Sequence, residues 1–220
     1  GGITAAQASA INQGMDTFGV LVFHNQVISD DEQYAFSTHF GAMETASGDI
    51  AAQGDRRLSM KVNDISNLGR DGEVMARDDR RRLFGLGNML WHSDSSFKTT
   101  PAKFSLLSGR EVPDSGGNTE FADMRSAWDE LEPSLQAACQ DLICRHSQLF
   151  SRSSLGFIEF SEEERAKWQP VRQRLVRTHP STGRTSLYLS SHIGEIEGLP
   201  TPEARMLVKD LTEHATQRKF

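Results

Sequence analysis

The chain has 220 residues, of which 37% are hydrophobic and 25% charged, and its formal net charge is −6. This length suffices for one large domain, which we expect to span residues 1–220, and the composition is ordinary for a soluble globular protein. The negative charge argues against binding to nucleic acid or to an anionic membrane surface, and no apolar run approaches the roughly 20 residues needed to span a bilayer.

The first part of the chain predicts two helices with a strand between them. Residues 4–16 are rich in alanine and carry apolar residues at helical spacing, and Thr4 is suited to cap this helix. Residues 20–23 form a short apolar run that favours a buried strand. A second helix is predicted after Ser29, because three acidic residues occupy its first turn, and we expect it to end at Gly41.

The middle of the chain predicts loops and short strands. Residues 42–56 predict a loop, and residues 60–65 and 104–110 predict strands. Residues 70–82 include nine charged residues in thirteen, of both signs. A phosphate or carboxylate site is the functional interpretation of this segment, whereas the mixed signs favour a solvated connection.

The last hundred residues predict helices and a hairpin. Helices are predicted from residue 123 to about 130, from residue 133 to about 145, and over residues 202–218. Two apolar runs, at 171–177 and 186–190, predict strands that pair across a turn. Together with the earlier elements, this pattern indicates a mixed α/β fold.

The two cysteines, Cys139 and Cys144, lie five residues apart on the second of these predicted helices. This spacing places them on different helix faces, so a disulfide between them is not expected. Free buried thiols suit a reducing compartment, and no signal peptide is visible. We therefore expect a cytoplasmic protein.

The most informative motif is the triplet His92-Ser93-Asp94. In an extended strand, residues two apart point to the same face, so the imidazole and the carboxylate would converge. One histidine and one carboxylate are two thirds of the 2-His-1-carboxylate set that holds non-haem Fe(II) and leaves coordination positions open. A chain with seven histidines can also contain such a triplet by chance, as an ordinary surface pair.

The residues around this triplet resemble the TauD/TfdA family of Fe(II)- and 2-oxoglutarate-dependent dioxygenases. The resembling segments follow one another in the family's order and include NMLWHSDSSF at 88–97, SGGNTEFADMR at 115–125 and EHATQ at 213–217. The serine-rich run after His92 and the EHATQ run are closer to the aryloxyalkanoate branch, which acts on compounds such as 2,4-dichlorophenoxyacetate, than to the taurine branch.

This resemblance implies both a fold and a reaction. The fold would be mixed α/β, mainly β: a double-stranded β-helix, or jelly roll, with flanking helices. Fe(II) would bind His92, Asp94 and a further histidine, with 2-oxoglutarate and O2 as co-substrates. In an aryloxyalkanoate, hydroxylation beside the ether oxygen gives a hemiacetal, which breaks down to a phenol and an oxo acid.

The resemblance also implies roles for three further residues. Thr119 matches a threonine that hydrogen-bonds the distal carboxylate of 2-oxoglutarate. Asn88 matches a position that contacts substrate, and His192 matches a pocket-lining position where an imidazole could hydrogen-bond a substrate carboxylate. The structural alternatives are a strand threonine, an asparagine that closes a turn, and an ordinary loop histidine. The implied partner is a small anionic substrate, and a homo-oligomer is left open.

One part of the family pattern is absent from this sequence. Family members supply the second iron histidine, and an arginine for 2-oxoglutarate, beyond the helix that carries EHATQ. We expect this chain to be trimmed at both ends, with these two residues and the last strands following Phe220. Three alternatives stay open: an alkylsulfonate dioxygenase such as one for taurine, a non-catalytic jelly-roll binding protein, and a zinc hydrolase with another ligand.

Overall fold

The computed structural model describes residues 2–44, 50, 56–59 and 61–220. These residues divide into two compact units. The first contains the described parts of Gly1–Gly48, Arg57–Asp64 and Lys103–Phe121, and the second those of Asp49–Arg56, Ile65–Ala102 and Ala122–Phe220. The expected single domain over 1–220 stays a prediction.

The first unit contains two helices whose starts follow from their capping residues. Helix α1 spans Ala5–Phe18, and the Thr4 side chain accepts from the Gln7 amide at 3.2 Å in a complete capping box. Helix α2 spans Asp30–Ser37, is capped in the same way by Ser29, and continues into a 3₁₀ turn over Thr38–Phe40. Both predicted helices are therefore confirmed.

Three predicted strands are wrong in the part of the chain that the structure describes. None of the residues at 20–23, 61–65 or 104–110 belongs to a strand, and Val22 and Phe23 are 70% and 54% exposed. A short apolar run does not by itself distinguish a strand from coil, because a strand also needs a neighbouring strand with which to pair. Most of the predicted loop at 42–56 lies outside the described residues.

The second unit holds the remaining regular structure. Its helices are α3 (Arg80–Gly85), α4 (Met124–Asp129), α5 (Pro133–Cys139), α6 (Gln148–Ser153), α7 (Glu162–Lys167) and α8 (Thr201–Ala215). Its strands are β1 (Ile143–His146), β2 (Val171–Arg174), β3 (Val176–Thr178), β4 (Thr185–Leu187) and β5 (Ile193–Ile196). Helix α3 runs directly into a 3₁₀ turn at Leu86–Met89, which precedes His92.

The strands form two small antiparallel sheets. One has the order β2-β1-β5, and the other is the hairpin β3-β4, in which Val176 is opposite Leu187. The hairpin predicted between 171–177 and 186–190 is thus confirmed in the pairing of β3 with β4. Helix α8 packs against β5, and one core contains Leu175 between β2 and β3, Leu187 of β4 and Leu211 of α8, each no more than 1% exposed.

The helix predicted from residue 133 to about 145 is wrong in its second half. It ends at Cys139, and Ile143–His146 pairs instead as the central strand of the three-stranded sheet. Pairing on both sides has overridden a weak helical preference. The two cysteines are nevertheless buried and free, as expected. Burial raises the pKa of the Cys144 thiol to about 12, so this thiol stays protonated.

The observed mixture of helices and short strands confirms the predicted mixed α/β class. Across the described residues, no helix combines the length and apolar character that crossing a bilayer requires.

Candidate active site

His92 and Asp94 meet on a turn, and not on the strand that the sequence predicts. Residues 91–93 have no regular structure and residues 94–97 form a turn, in which Ser95 adopts a left-handed φ of 56°. His92 Nε2 lies 3.1 Å from Asp94 Oδ1. The expected convergence of the two side chains is therefore present, although the turn and not strand alternation produces it. We call residues 91–98 the HxD turn.

The backbone selects one tautomer of His92. Its Nδ1 lies 2.6 Å from the carbonyl oxygen of Leu90, which can only accept, so Nδ1 carries the hydrogen and donates. In the neutral imidazole, the lone pair of Nε2 then faces the Asp94 carboxylate. Two acceptors at this distance need a positive charge between them. The hydrogen bond to Asp94 outweighs burial and raises the pKa of His92, because the carboxylate favours the protonated imidazole.

The same geometry fits a metal ion. Two ligand atoms about 2.1 Å from an octahedral metal, and at right angles, lie about 3 Å apart. The 3.1 Å between Nε2 and Oδ1 matches this separation. A metal-binding histidine also commonly donates its other ring N–H to a backbone carbonyl, as His92 does to Leu90. In the described ranges, no group of three histidine, cysteine or acidic side chains gathers around one point. His92 and Asp94 thus offer two candidate ligand atoms.

Contacts with distant segments fix the HxD turn. The Ser93 hydroxyl donates to the Leu189 carbonyl at 2.7 Å, and the Ser191 amide donates to the Trp91 carbonyl at 3.0 Å. The Gln173 amide donates to the Ser96 and Lys98 carbonyls at 3.0 and 2.7 Å. The position of His92 and Asp94 is therefore set by β2 and by the segment between β4 and β5.

His192 lies beside the HxD turn, as a pocket-lining residue would. Its ring is 2% exposed and makes edge contacts with His92 and Phe97, with ring centroids 6.0 and 5.1 Å away. Burial, together with the charge of Arg152, lowers the pKa of His192 to about 3, so its imidazole is neutral. Its Nδ1 lies 2.9 Å from the Ser151 hydroxyl.

Asn88 is exposed, and its carboxamide oxygen accepts a hydrogen bond of 3.1 Å from Arg152 Nη2. Arg152 also donates from Nη1 to Ser151 Oγ at 3.2 Å, and this guanidinium therefore connects Asn88 to His192 through Ser151. Sequence reasoning missed both Ser151 and Arg152. They belong to no motif, and nothing in the sequence signals that α6 turns them inwards.

Thr119 lies in the first compact unit, in an exposed stretch without regular structure. The four other predicted site residues, Asn88, His92, Asp94 and His192, all lie in the second unit. The role of Thr119 in binding 2-oxoglutarate stays a prediction.

The charged segment at 70–82 has structural partners. Asp79 caps α3 and pairs with Arg81 at 3.1 Å, and Arg80 pairs with Glu164 at 2.6 Å. These ion pairs support the interpretation of a solvated connection and give no support to a phosphate site.

The chain matches one protein family and is similar in sequence to characterised dioxygenases. Residues 2–220 match the family described as Taurine catabolism dioxygenase TauD, TfdA family. An alpha-ketoglutarate-dependent 2,4-dichlorophenoxyacetate dioxygenase from Cupriavidus pinatubonensis is 43% identical over 216 residues, covering 98% of this chain and 75% of that protein. An (S)-phenoxypropionate/alpha-ketoglutarate-dioxygenase from Delftia acidovorans is 34% identical, covering 90% of this chain and 67% of that protein.

A solved structure is also similar along most of this chain. The crystal structure of AAD-2 in complex with Mn(II) and N-oxalylglycine is 53% identical and superimposes with a TM-score of 0.96. The superposition covers 99% of this chain and 76% of that one.

Proposed function

Because this chain belongs to the TauD/TfdA family of Fe(II)- and 2-oxoglutarate-dependent dioxygenases, we propose that it hydroxylates a small aryloxyalkanoate and thereby cleaves its ether bond. One observation carries the chemistry: His92 Nε2 and Asp94 Oδ1 lie 3.1 Å apart, and His92 Nδ1 is bound to the Leu90 carbonyl. Relatives named for 2,4-dichlorophenoxyacetate and (S)-phenoxypropionate support the substrate class.

His92 and Asp94 are the residues that would hold the iron. The Asp94 carboxylate would reduce the net charge of the site, and it suits a hard, oxygen-activating metal better than a thiolate would. When bound, Fe(II) with 2-oxoglutarate and O2 supplies the oxidising chemistry that converts a C–H bond to C–OH. The divalent metal and the dicarboxylate present in the AAD-2 complex support this assignment, since N-oxalylglycine is 2-oxoglutarate with one methylene replaced by NH.

The remaining side chains would bind and orient the organic molecules. Thr119 would donate a hydrogen bond to the distal carboxylate of 2-oxoglutarate. Asn88 and His192 would contact the substrate, and Trp91 and Phe97 flank the metal ligands as apolar walls that exclude water. Their task is to hold the carbon beside the ether oxygen at the point of oxidation.

The overall reaction balances without a further reductant. One oxygen atom of O2 enters the substrate and the other enters succinate, while 2-oxoglutarate loses CO2. The substrate becomes a hemiacetal at the carbon beside the ether oxygen. This hemiacetal breaks its bond to the aryloxy oxygen, which takes up the hydroxyl proton and leaves as a phenol, and the remaining fragment is an oxo acid.

We also propose the double-stranded β-helix as the architecture. The two antiparallel sheets and the TM-score of 0.96 to a solved relative support it. A cytoplasmic location and a homo-oligomer stay predictions.

Oxygen consumption by the full-length protein tests this function. With Fe(II) and 2-oxoglutarate present, we expect 2,4-dichlorophenoxyacetate to be consumed with equal amounts of phenol and succinate formed, and taurine to be turned over poorly. Preferential oxidation of taurine would favour the alkylsulfonate alternative. Hydrolysis that requires zinc and neither O2 nor 2-oxoglutarate would overturn the proposal.

A further inference from the structure

Arg152 is a buried cation without an acidic partner in the portion of the chain that the structure describes. It is 4% exposed, and no aspartate or glutamate described there forms an ion pair with it. Burial lowers the pKa of Arg152 to about 10, which still leaves the guanidinium charged at neutral pH. A buried, uncompensated charge destabilises a fold, so its presence calls for an explanation.

The packing around Arg152 keeps its guanidinium in one place. The group lies over the ring of Phe84, 4.7 Å from the ring centroid. Gly87 is a second close neighbour, since an added Cβ there would be 2.0 Å from Arg152 Nη1 and 2.2 Å from Cζ. Only glycine leaves room for this contact, and the guanidinium is therefore confined by the Phe84 ring and by the bare backbone at Gly87.

The hydrogen bond from Arg152 determines which atoms Asn88 can offer to a ligand. Because the guanidinium has only donors, the atom of Asn88 that it contacts at 3.1 Å must be the carboxamide oxygen. The two N–H donors of the exposed Asn88 amide are then directed away from Arg152. An amide held in this orientation offers donors, which suit an anionic or carbonyl oxygen of a ligand.

A second path leads from Arg152 through Ser151 to His192. Ser151 Oγ accepts from Arg152 Nη1 at 3.2 Å and donates its one hydrogen to the Gln148 carbonyl at 3.1 Å, and His192 Nδ1 lies 2.9 Å from the same oxygen. The guanidinium and the imidazole therefore contact the same hydroxyl group, which couples the position of His192 to that of Arg152.

We propose that Arg152 is the positioning residue that makes this site selective for an anionic substrate, because it directs the amide donors of Asn88 outwards, holds His192 through Ser151 and adds a buried positive charge that no described acidic side chain pairs with. The ligand class is a carboxylate, and its negative charge would offset that of the buried guanidinium. The inference rests on the proposed function and deepens it, since it assigns the preference for an acid to a residue outside the metal site.

The test compares an acid with its neutral counterpart. Binding of 2,4-dichlorophenoxyacetate and of 2,4-dichlorophenoxyacetamide to the metal-free full-length protein is measured by calorimetry, and KM and kcat are measured with Fe(II) and 2-oxoglutarate. In Arg152→Gln we expect the Kd and KM of the acid to rise at least about tenfold, as for a lost hydrogen bond or charge contact, and those of the amide to change less than about threefold.

Two further variants keep this test decisive. Arg165→Gln removes a comparable guanidinium, one that lies 5.6 Å from the Phe160 ring on exposed α7, and should leave both ligands unaffected. Arg152→Lys keeps the charge but not the forked geometry. Arg152→Lys should bind the acid more weakly than the wild type does but should keep part of the preference for the acid over the amide. If Arg152→Gln does not fold, Arg152→Lys is used in its place.

The outcomes separate the two proposals. Equal losses of affinity for the acid and for the amide in both Arg152 variants would mean that Arg152 is merely structural. An unchanged affinity for the acid in these variants would also overturn the inference. Both conclusions hold even when the wild-type protein oxidises the acid. A wild-type protein that neither binds the acid nor consumes O2 with it would instead overturn the proposed function.

Discussion

The carbonyl oxygen of Leu90 accepts a hydrogen bond from Nδ1 of His92, two residues along the chain, at 2.6 Å. This local contact fixes the tautomer of the imidazole and leaves Nε2 to face Asp94 at 3.1 Å. The backbone of the same turn thus orients the imidazole of the proposed ligand His92, while contacts with distant segments hold the turn itself in place.

Replacement of Asp94 should abolish activity without unfolding the protein. The Asp94 side chain is 57% exposed, and exposed substitutions usually change stability by less than about 0.5 kcal/mol. Asp94→Ala removes the proposed carboxylate ligand, so we expect loss of Fe(II) binding and at least a hundredfold loss of turnover. A hundredfold factor corresponds to a free energy of about 2.7 kcal/mol. His92→Ala should behave alike. Iron-dependent turnover that persists in Asp94→Ala, with an unchanged Tm, would rule out the ligand assignment.

Thr119→Val should raise the concentration of 2-oxoglutarate required for half-maximal activity. The change removes one hydrogen bond to a charged group and keeps the side-chain shape, so we expect a loss of roughly 1.5–3 kcal/mol, or about tenfold or more in affinity. Thr119→Ser retains the hydroxyl and serves as the matched control. If the 2-oxoglutarate requirement is unchanged while the affinity for the aryloxyalkanoate falls, Thr119 contacts the substrate instead.

Gly87→Ala should destabilise the protein, whereas the nearby Gly85→Ala should not. The new Cβ at position 87 would lie 2.0 Å from Arg152 Nη1, so the buried guanidinium must move. We expect a cost of about 1–3 kcal/mol from overpacking, measured by denaturant unfolding. At helical Gly85 an added Cβ meets no atom within 4 Å, so alanine should be neutral or stabilise by up to about 1 kcal/mol. Equal effects of the two substitutions would contradict the close packing at Gly87.

The ion pair between Glu164 and Arg80 should make stability depend on acid pH. Burial alone would raise the pKa of Glu164, but the Arg80 guanidinium and the Ser161 amide bind its charged form and lower the pKa below the ordinary 4.5. A carboxylate with a depressed pKa stabilises the fold above about pH 4.5, and this contribution is lost as the pH falls through the folded-state value.

Glu164→Gln provides the measurement of this contribution. At pH 7 we expect the variant to unfold about 0.2–1 kcal/mol more easily than the wild type, because Arg80 is 42% exposed and solvent screens the pair. The difference should shrink towards pH 3. A difference that grows on acidification would mean that the charged form of Glu164 is not the stabilised one.

Local signals in the sequence sufficed for helices α1, α2 and α8 and for the type of chemistry. Helices α1 and α2 begin at Thr4 and Ser29 because a capping box needs only residues three apart, and α8 follows from its own periodicity. The order of motifs around His92 likewise indicates the family, since it records residue types and spacings and needs no coordinates.

The tertiary structure decided what depends on contacts between distant segments. Among the described residues the apolar run at 20–23 has no strand partner, while residues 143–146 gain one on each side, and neither result can be read from the runs themselves. Arg152 meets Asn88 across 64 residues of sequence, and Ser151 meets His192 across 41. A buried hydrogen-bond network exists only when packing excludes water and brings its members together, so the sequence names the two candidate iron ligands while the fold determines what surrounds them.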